Sequence, residues 1–225
     1  PILYVGVPIL LVFMQPDLGT SLVYIAIFVG MLFVSGIRLR LVRIIATVGV
    51  LLMPLAWFVL KDYQKQRILV FMNPDIDPFG SGYHIIQSKI AIGSGTIFGK
   101  GLFNGTQSQL NFLPENHTDF IFSVIGEELG FIGCIFVLIL LFMLIYRSIK
   151  VAYSCNDRFG MLLATGIGSM LCFEVLVNAG MTMGIMPVTG IPLPFISYGV
   201  SALTTNMISV GILLNISMQR KKYIF

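Results

Sequence analysis

The stretch IFSVIGEELGFIGCIFVLILLFMLIY, residues 121–146, is apolar along almost its whole length and carries only two charged residues, Glu127 and Glu128. A membrane-spanning helix needs about 17 to 25 mostly apolar residues, so this stretch predicts one. The whole chain has the same character, because 56% of its 225 residues are hydrophobic and 11% are charged. This composition excludes a soluble globular protein and predicts an all-α, polytopic transmembrane helical bundle.

Five further apolar runs predict additional spans, which makes about six in a single transmembrane domain over residues 1–225. The predicted spans are 1–14, 18–36, 41–60, 121–146, 160–182 and 198–218. A long polar interruption at 61–120 and a short Pro- and Gly-rich loop at 183–197 separate them. Because the chain opens with Pro1 inside an apolar run, we expect its beginning to lie upstream.

Basic residues predict the orientation, since cytoplasmic connections carry an excess of Lys and Arg. Nine of the 14 basic residues fall in connections on one side, namely Arg38, Arg40, Arg43, Arg147, Lys150, Arg158, Arg220, Lys221 and Lys222. The loop 61–120 has nearly balanced charge and can be translocated. We therefore expect this loop to be extracytoplasmic and the C-terminus to be cytoplasmic.

The two outer loops carry distinct signals. YHIIQSKIAIGSG (83–95) predicts a short helix at the membrane interface. The glycines that follow, from Gly93 to Gly105, favour close approach of the backbone to another segment. MGIMPVTGIPLPFISYG (183–199) has almost no charge, so we expect it to fold back against protein or to line a wet cavity.

Carboxylates inside predicted spans are functional hypotheses by default, because a lipid-facing charge is expensive. At about 1.5 Å per residue, Glu127, Glu128 and Glu174 are expected roughly 12 to 14 Å inward from the outer helix ends. Asn178 follows Glu174 by one turn. These four residues predict a polar cavity between the helices 121–146 and 160–182, and the alternative is hydrogen bonding between packed helices.

The segment NFLPENHTDF (111–120) brings Glu115, His117 and Asp119 to the edge of an apolar helix. If Asn116 is the N-cap, Asp119 lies at N3, where the helix dipole lowers its pKa and makes it a poor proton acceptor. Alternatively, Asp119 is a general base for a hydroxyl at the edge of an aqueous loop. The residue types alone leave both interpretations open.

Other polar residues favour structural roles. Asp17 precedes an apolar run and predicts a helix cap. His84 and His117 lie far apart in sequence without a third ligand, so a metal site is the less favoured interpretation. Cys134, Cys155 and Cys172 form neither a disulfide framework nor a metal-binding spacing.

Four longer motifs resemble the RodA branch of the bacterial SEDS family, whose relatives include FtsW and SpoVE. They are QPDLGTSLV (15–23), DYQKQRILVFMNPDIDPFGSGYHIIQSKIAIGSG (62–95), GTQSQLNFLPENHTDFIFSVIGEELG (105–130) and GIMPVTGIPLPFISYGVSAL (184–203). The resemblance covers essentially the whole chain. It implies a ten-helix, multi-pass protein of the bacterial cytoplasmic (inner) membrane, of which this chain would be the last six helices.

The resemblance also implies a function in cell elongation, cell shape and division. It implies a peptidoglycan glycosyltransferase that polymerises lipid II into glycan strands on the extracytoplasmic face. The implied partners are lipid II, lipid-linked glycan, a class B penicillin-binding protein, cell-elongation complex proteins and membrane lipid, with no nucleic acid. The alternatives are a lipid II flippase and a non-catalytic scaffold that activates the penicillin-binding protein.

Within the motif LPENHTDFIF the essential aspartate of the family falls on Asp119, which is implied to activate the attacking sugar hydroxyl. Lys89, Arg67 and Lys65 are candidates for binding the pyrophosphate, against the alternative of a solvated loop face. Further substrate-binding candidates are Glu115, His117, Gln107 and Gln109. The reaction is compatible with a divalent metal ion, although the sequence shows no site for one.

One position departs from the family motif. Family members commonly read SYGGS near the last helix, whereas this chain has Val200 in place of the second glycine. If that position requires a positive φ or a close backbone approach, valine would strain it.

Overall fold

The computed structural model describes residues 2–15, 17–36, 60–78, 80–110 and 112–219, together with the single positions 43, 47, 51 and 58. Within these residues the fold is helical throughout, which confirms the predicted all-α class. The helices are α1 (Ile2–Met14), α2 (Leu18–Val34), α3 (Asp62–Met72), α4 (Ser81–Ser94), α5 (Thr106–Gln109), α6 (Ile121–Tyr153), α7 (Arg158–Thr182) and α8 (Val200–Met218). A 3-10 turn, Pro74–Ile76, joins α3 to α4.

Three of these described helices, α6, α7 and α8, are long and apolar enough to cross a membrane. The apolar helix α2 is shorter, at 17 residues. The predicted spans at 1–14, 18–36, 160–182 and 198–218 each coincide with a helix to within a few residues. The predicted span at 41–60 lies outside the described residues except at isolated positions, and so do the basic residues of the predicted tail.

Aspartates are the N-cap residues of two of the apolar helices. Asp17 Oδ1 accepts a hydrogen bond from Thr20 N at 3.0 Å, and Asp157 Oδ2 accepts one from Gly160 N at 2.9 Å. Such side chains satisfy backbone N–H groups that have no partner inside the helix. The predicted capping role of Asp17 is therefore confirmed.

Helix α7 lies at the centre of the bundle and packs against both α6 and α2. Its buried side chains include Ala164, Leu171 and Val175. Gly30 of α2 lies directly against Ser169 of α7, which leaves no space for a larger residue. Small residues at such contacts allow membrane helices to approach closely, where van der Waals packing is strongest.

The region 61–120 contains three short helices rather than one. The predicted interfacial helix is present as α4, and it packs on α6 and α7 through buried Ile85, Ser88 and Ala91. Ser88 Oγ lies 2.6 Å from Ser123 Oγ of α6 and 2.6 Å from Thr182 O of α7. Helix α4 is thereby fixed to the N-terminal end of α6 and the C-terminal end of α7.

Helix α6 covers the predicted span 121–146 and contains a break at Gly130 that the sequence did not predict. Gly130 has φ 67° and ψ −163°, a conformation that is essentially restricted to glycine. The segment 131–153 after the break is roughly 34 Å long, which by itself exceeds the hydrocarbon thickness of about 30 Å. The depth predicted for Glu127 and Glu128 was counted along an unbroken helix, so it does not apply to a helix that is broken at Gly130.

The segment 96–101 fills the break. Glu127 O and Glu128 O accept hydrogen bonds from Lys100 N and Gly101 N, both at 3.0 Å. After the break, Phe131 N and Ile132 N donate to the carbonyls of residues 96 and 97 at 2.9 and 3.2 Å. The broken helix ends thus find the partners that a continuous helix would have supplied.

Gly99 lies against the Glu128 carbonyl, where a Cβ atom would overlap the backbone. This is the close backbone approach that the glycine-rich sequence predicted. The partner of that approach is the break in α6.

The segment 183–199 folds back against protein, which is one of the two alternatives predicted from its lack of charge. Its side chains Ile191, Leu193, Pro194 and Ser197 are buried. Val200 is the first residue of α8 and is exposed, so valine meets neither the positive φ nor the close approach considered for that position.

Candidate active site

Asp119 lies in the turn that precedes α6. The helix begins at Ile121 with Phe120 as its N-cap. Asn116, the predicted N-cap, instead donates through Nδ2 to Ser108 O at 3.0 Å and is buried. The interpretation of Asp119 as an N3 residue in a capping motif is therefore wrong, and within the described residues its carboxylate has no hydrogen-bond partner.

Three consecutive carbonyls of this turn are held by α7 and the segment 183–199. His117 O accepts a hydrogen bond from Tyr198 N at 2.8 Å. Thr118 O accepts one from Ser197 Oγ at 2.7 Å, and Asp119 O accepts one from Asn178 Nδ2 at 3.0 Å. The backbone of the turn is thus fixed at three points, which orients the Asp119 side chain.

Asn178 connects this turn to the segment 183–199. It is fully buried, and its Nδ2 also donates to Ile191 O at 2.8 Å. Asn178 was predicted to line a cavity, whereas the structure gives it contacts that position the backbone of Asp119. Its Oδ1 has no hydrogen-bond partner in the part of the chain that the structure describes.

We expect Asn178→Ala to destabilise the protein by about 1 to 3 kcal/mol for each carbonyl left without a donor. Thermal unfolding in detergent measures this loss. Asn215→Ala is the matched control, because Asn215 is exposed on α8 and bonds only to Gln219 within the described residues. Equal unfolding temperatures for the two variants would contradict the positioning role of Asn178.

The pKa of the Asp119 carboxyl is raised, and the largest cause is burial, which disfavours the charged form. The neighbouring carboxylate of Glu115 raises it further, while Arg67 and His84 oppose the shift. Gly190 lies beside Asp119 Oδ2 and leaves the carboxylate uncovered on that side. A half-buried carboxylate with raised proton affinity is suited to accept a proton from a hydroxyl group.

His84 of α4 also belongs to this site. Its ring stacks on Phe120 with a centroid distance of 5.9 Å and an interplanar angle of 13°. Burial lowers the pKa of His84, against the opposing effect of the carboxylates Glu115, Asp77 and Asp119. The sequence offered His84 only as a metal ligand, and only the packing of α4 against α6 brings it close to Asp119.

Of the three predicted basic residues, the structure brings Arg67 to the site. Arg67 Nη1 donates to Thr189 O at 3.4 Å, and the guanidinium is close enough to Asp119 to lower its pKa. Lys65 is half-buried on the same helix. The Lys89 side chain lies against Gly184, at the turn after α7.

The remaining substrate-binding candidates have separate environments. Glu115 is exposed and accepts a hydrogen bond from Thr118 Oγ1 at 3.1 Å. His117 is exposed and faces a cavity that it shares with Tyr198. Gln107 has a buried Oε1 without a partner among the described residues, while Gln109 is exposed.

Glu127 is bound by the loop 100–109 rather than facing a cavity. Its carboxylate accepts hydrogen bonds from Lys100 Nζ at 2.7 Å, Gln107 N at 2.9 Å and Ser108 N at 3.1 Å. Glu127 is fully buried. It therefore connects the start of α6 to the N-terminal end of α5.

Glu128 and Glu174 lie in different places. Glu128 is buried and approaches Ser108 Oγ at 3.5 Å. Glu174 lines a cavity of about 400 Å³ between α2, α7 and α8, together with Tyr24, Gly190 and Asn206. The structure does not bring the four predicted residues into one cavity between α6 and α7, because Glu127 is bound by the loop 100–109 whereas Glu174 faces α2 and α8.

A metal ion has no evident protein site in the described ranges, where no group of three or more His, Cys, Asp and Glu side chains is arranged to hold one.

Residues 1–222 match the FtsW/RodA/SpoVE family, which is described as a family of cell cycle proteins. The chain is similar to peptidoglycan glycosyltransferase MrdB of Escherichia coli strain K12, with 49% identity over 215 residues, which cover 95% of this chain and 58% of that protein. It is also similar to stage V sporulation protein E of Bacillus subtilis strain 168, with 44% identity over 92% of this chain and 56% of that protein.

Two solved structures share the fold. One belongs to a study of how a peptidoglycan synthase complex coordinates polymerization and crosslinking. It has a TM-score of 0.75 and 34% identity, over 94% of this chain and 59% of that chain. The other is a crystal structure of an Asp-to-Ala mutant of Thermus thermophilus rod shape determining protein RodA, with a TM-score of 0.62 and 30% identity over 95% of this chain and 54% of that chain. The chain spans less than two thirds of the length of each of these proteins.

Proposed function

Because the chain belongs to the FtsW/RodA/SpoVE family of cell cycle proteins, we propose that it carries the catalytic base of a peptidoglycan glycosyltransferase that polymerises lipid II. The observation that carries the proposal is the environment of Asp119. Its carboxylate does not cap the helix and has a raised pKa, and the turn that bears it is held at three backbone points. The names of its relatives support the same activity. The multi-pass helical fold agrees with a substrate carried by a membrane lipid.

In the proposed reaction, the 4-hydroxyl of one sugar attacks the anomeric carbon of another. The new bond joins O4 to C1, and the bond that breaks joins C1 to the phosphate oxygen of undecaprenyl pyrophosphate. The hydroxyl proton passes to the Asp119 carboxylate, while the electron pair of the broken bond leaves with the pyrophosphate. Deprotonated Asp119 is thus needed at the start of each cycle.

Positive charge beside the departing pyrophosphate would stabilise the transition state. Arg67 is the basic residue that the packing of α3 brings towards Asp119, which supports its assignment to this role. Lys65 remains a candidate on the same helix. Lys89, on α4, lies with its side chain against Gly184 after the end of α7 and is the least favoured of the three by its position.

A transport function is the second candidate, since broken helices near a polar site are a feature of secondary transporters. The break at Gly130 favours it. In this chain, however, the segment 96–101 occupies both broken ends with backbone hydrogen bonds, which leaves fewer free groups for a transported ligand. The same contacts support a rigid arrangement of the backbone around Asp119.

The experiment that separates these functions is polymer formation from purified lipid II in detergent by the complete protein that contains this chain. A glycosyltransferase is expected to form glycan strands without a closed membrane, and gel separation of the products measures their length. A flippase would form none, because transport needs two separated compartments. Absence of polymer with a folded protein and its crosslinking partner present would overturn the proposal.

The raised pKa of Asp119 predicts the acid side of the pH profile. Activity is present above the pKa and is lost as the pH falls through it, at a higher pH than an ordinary aspartate would give. Glu115→Gln removes the neighbouring negative charge, so we expect the pKa of Asp119 and the acid limb of kcat/KM to move to lower pH. Asp62→Asn, an exposed carboxylate change on α3, is the control. If the acid limb of kcat/KM moves to higher pH in Glu115→Gln, the assignment of Asp119 as the titrating base is contradicted.

We also propose the orientation and partners implied by the family. The active face and the loop 61–120 are extracytoplasmic, the C-terminus is cytoplasmic, and the membrane is the bacterial inner membrane. A class B penicillin-binding protein and other proteins of cell elongation are the proposed partners. The likeness to a peptidoglycan synthase complex that couples polymerization and crosslinking supports this assignment.

A further inference from the structure

The segment 97–103, here called the 97–103 tip, presents large apolar side chains within a loop that the charge pattern predicts to be aqueous. The exposed fractions are 57% for Ile97, 79% for Phe98, 63% for Leu102 and 79% for Phe103. A contiguous set of exposed apolar side chains of this size indicates an interaction surface.

The position of the 97–103 tip identifies its surroundings. Ile132 N donates to Ile97 O at 3.2 Å, which places the tip beside the first turn of the segment 131–153. That segment is long enough to span the membrane, and its first residue, Phe131, is 62% exposed. The apolar surface of the tip therefore continues directly onto the lipid-facing surface of α6.

Three backbone groups of the 97–103 tip are hydrogen-bonded to α6. Non-helical backbone inside the hydrocarbon must have its polar groups satisfied by protein, so these bonds hold the tip against α6 while the rest of its backbone stays at the interface. Lys100 N and Gly101 N donate to Glu127 O and Glu128 O, while Ile97 O accepts from Ile132 N. The charge of the tip is also neutralised, because the Lys100 ammonium pairs with the buried Glu127 carboxylate at 2.7 Å.

We propose that the 97–103 tip is a membrane anchor that inserts Phe98, Leu102 and Phe103 among the acyl chains of the leaflet next to the loop 61–120. The partner is membrane lipid, and the anchoring does not depend on the chemistry proposed for Asp119. Apolar side chains at the boundary bind by burying area among acyl chains, as in interfacial anchors. The anchor would fix the height of α4, and hence of His84, relative to the bilayer.

Tryptophan reporters test the anchor in the complete protein, reconstituted in phosphatidylcholine vesicles after its other tryptophans are changed to phenylalanine. Phe98→Trp and Phe103→Trp place conservative reporters on the tip, and Gln109→Trp is the exposed control on α5. Lipids brominated on the acyl chain quench tryptophan only on contact. We expect quenching at positions 98 and 103 to be roughly twofold or more stronger than at 109.

Quenching at positions 98 and 103 that is no stronger than at 109 would overturn the proposal. A blue-shifted emission without bromolipid quenching would also overturn it, because protein rather than lipid would then cover the tip. The thermal unfolding transition of each variant is measured to confirm that the tryptophan fluorescence comes from folded protein. A protein without polymerase activity that still shows the quenching difference would reject the proposed function and leave the anchor in place.

Discussion

Asp119→Asn is expected to reduce glycan polymerisation by about 10²- to 10⁴-fold, the range that a positioned general base contributes. Asparagine keeps the size of the side chain but cannot accept the hydroxyl proton. The backbone bonds from Asn178 and Ser197 to this turn do not involve the carboxylate, so the fold should persist. The measurement is the rate of polymer formation from lipid II in detergent by the complete protein with its partner.

Asp75→Asn is the matched control for this change, since Asp75 is an exposed carboxylate of the same polar region 61–120, on the 3-10 turn after α3. It should retain the wild-type rate. Complex formation and thermal unfolding must be equal in all three proteins. Undiminished polymer from Asp119→Asn would reject Asp119 as the base and direct the search to Glu115. If the protein is only a scaffold for its partner, the substitution would leave function intact.

Glu127→Leu is expected to give the largest loss of stability, about 1 to 3 kcal/mol for each buried N–H group left without an acceptor, because it removes a fully buried carboxylate. The Lys100 ammonium and the backbone N–H groups of residues 107 and 108 would lose their acceptor. The loop 96–109 should then detach from the broken end of α6. Thermal unfolding in detergent measures the loss, and limited proteolysis locates it.

Glu127→Gln tests the same contacts with a milder change. It retains the shape and an acceptor oxygen, so its loss should be smaller than that of Glu127→Leu. Lys100→Met in combination with each variant completes a double-mutant cycle, which isolates the coupling between the two side chains. A coupling energy near zero, with equal unfolding temperatures for Glu127→Leu and wild type, would show that the ion pair is dispensable.

Much of the fold follows from local sequence. The apolar runs predicted α2, α7 and α8 because hydrophobic length is a property of each segment alone. Asp17 predicted its own cap for a similar reason, since a cap bonds to N–H groups only a few residues away. The lack of charge in 183–199 predicted burial against protein as one of two alternatives.

The candidate site was only partly predictable. The family resemblance assigned Asp119, but local spacing also allowed a capping role that the structure excludes, because Phe120 ends the turn and Asn116 bonds to Ser108. The role of Asn178 as a positioning residue could not be predicted, since its acceptors belong to residues 119 and 191. Likewise, His84 meets Phe120 only across two helices.

By itself, then, the sequence determined the helical membrane class, the places of most spanning helices and the polar segment that carries Asp119. The tertiary structure alone decided the break at Gly130, the separation of Glu127 from Glu174 and the environment of Asp119. The physical reason is that hydrophobicity accumulates along a segment, whereas a backbone break or a shifted pKa depends on which distant groups supply hydrogen bonds and charge. In this protein those groups come from the segment 96–109, the helices α3, α4 and α7, and the turn before α8.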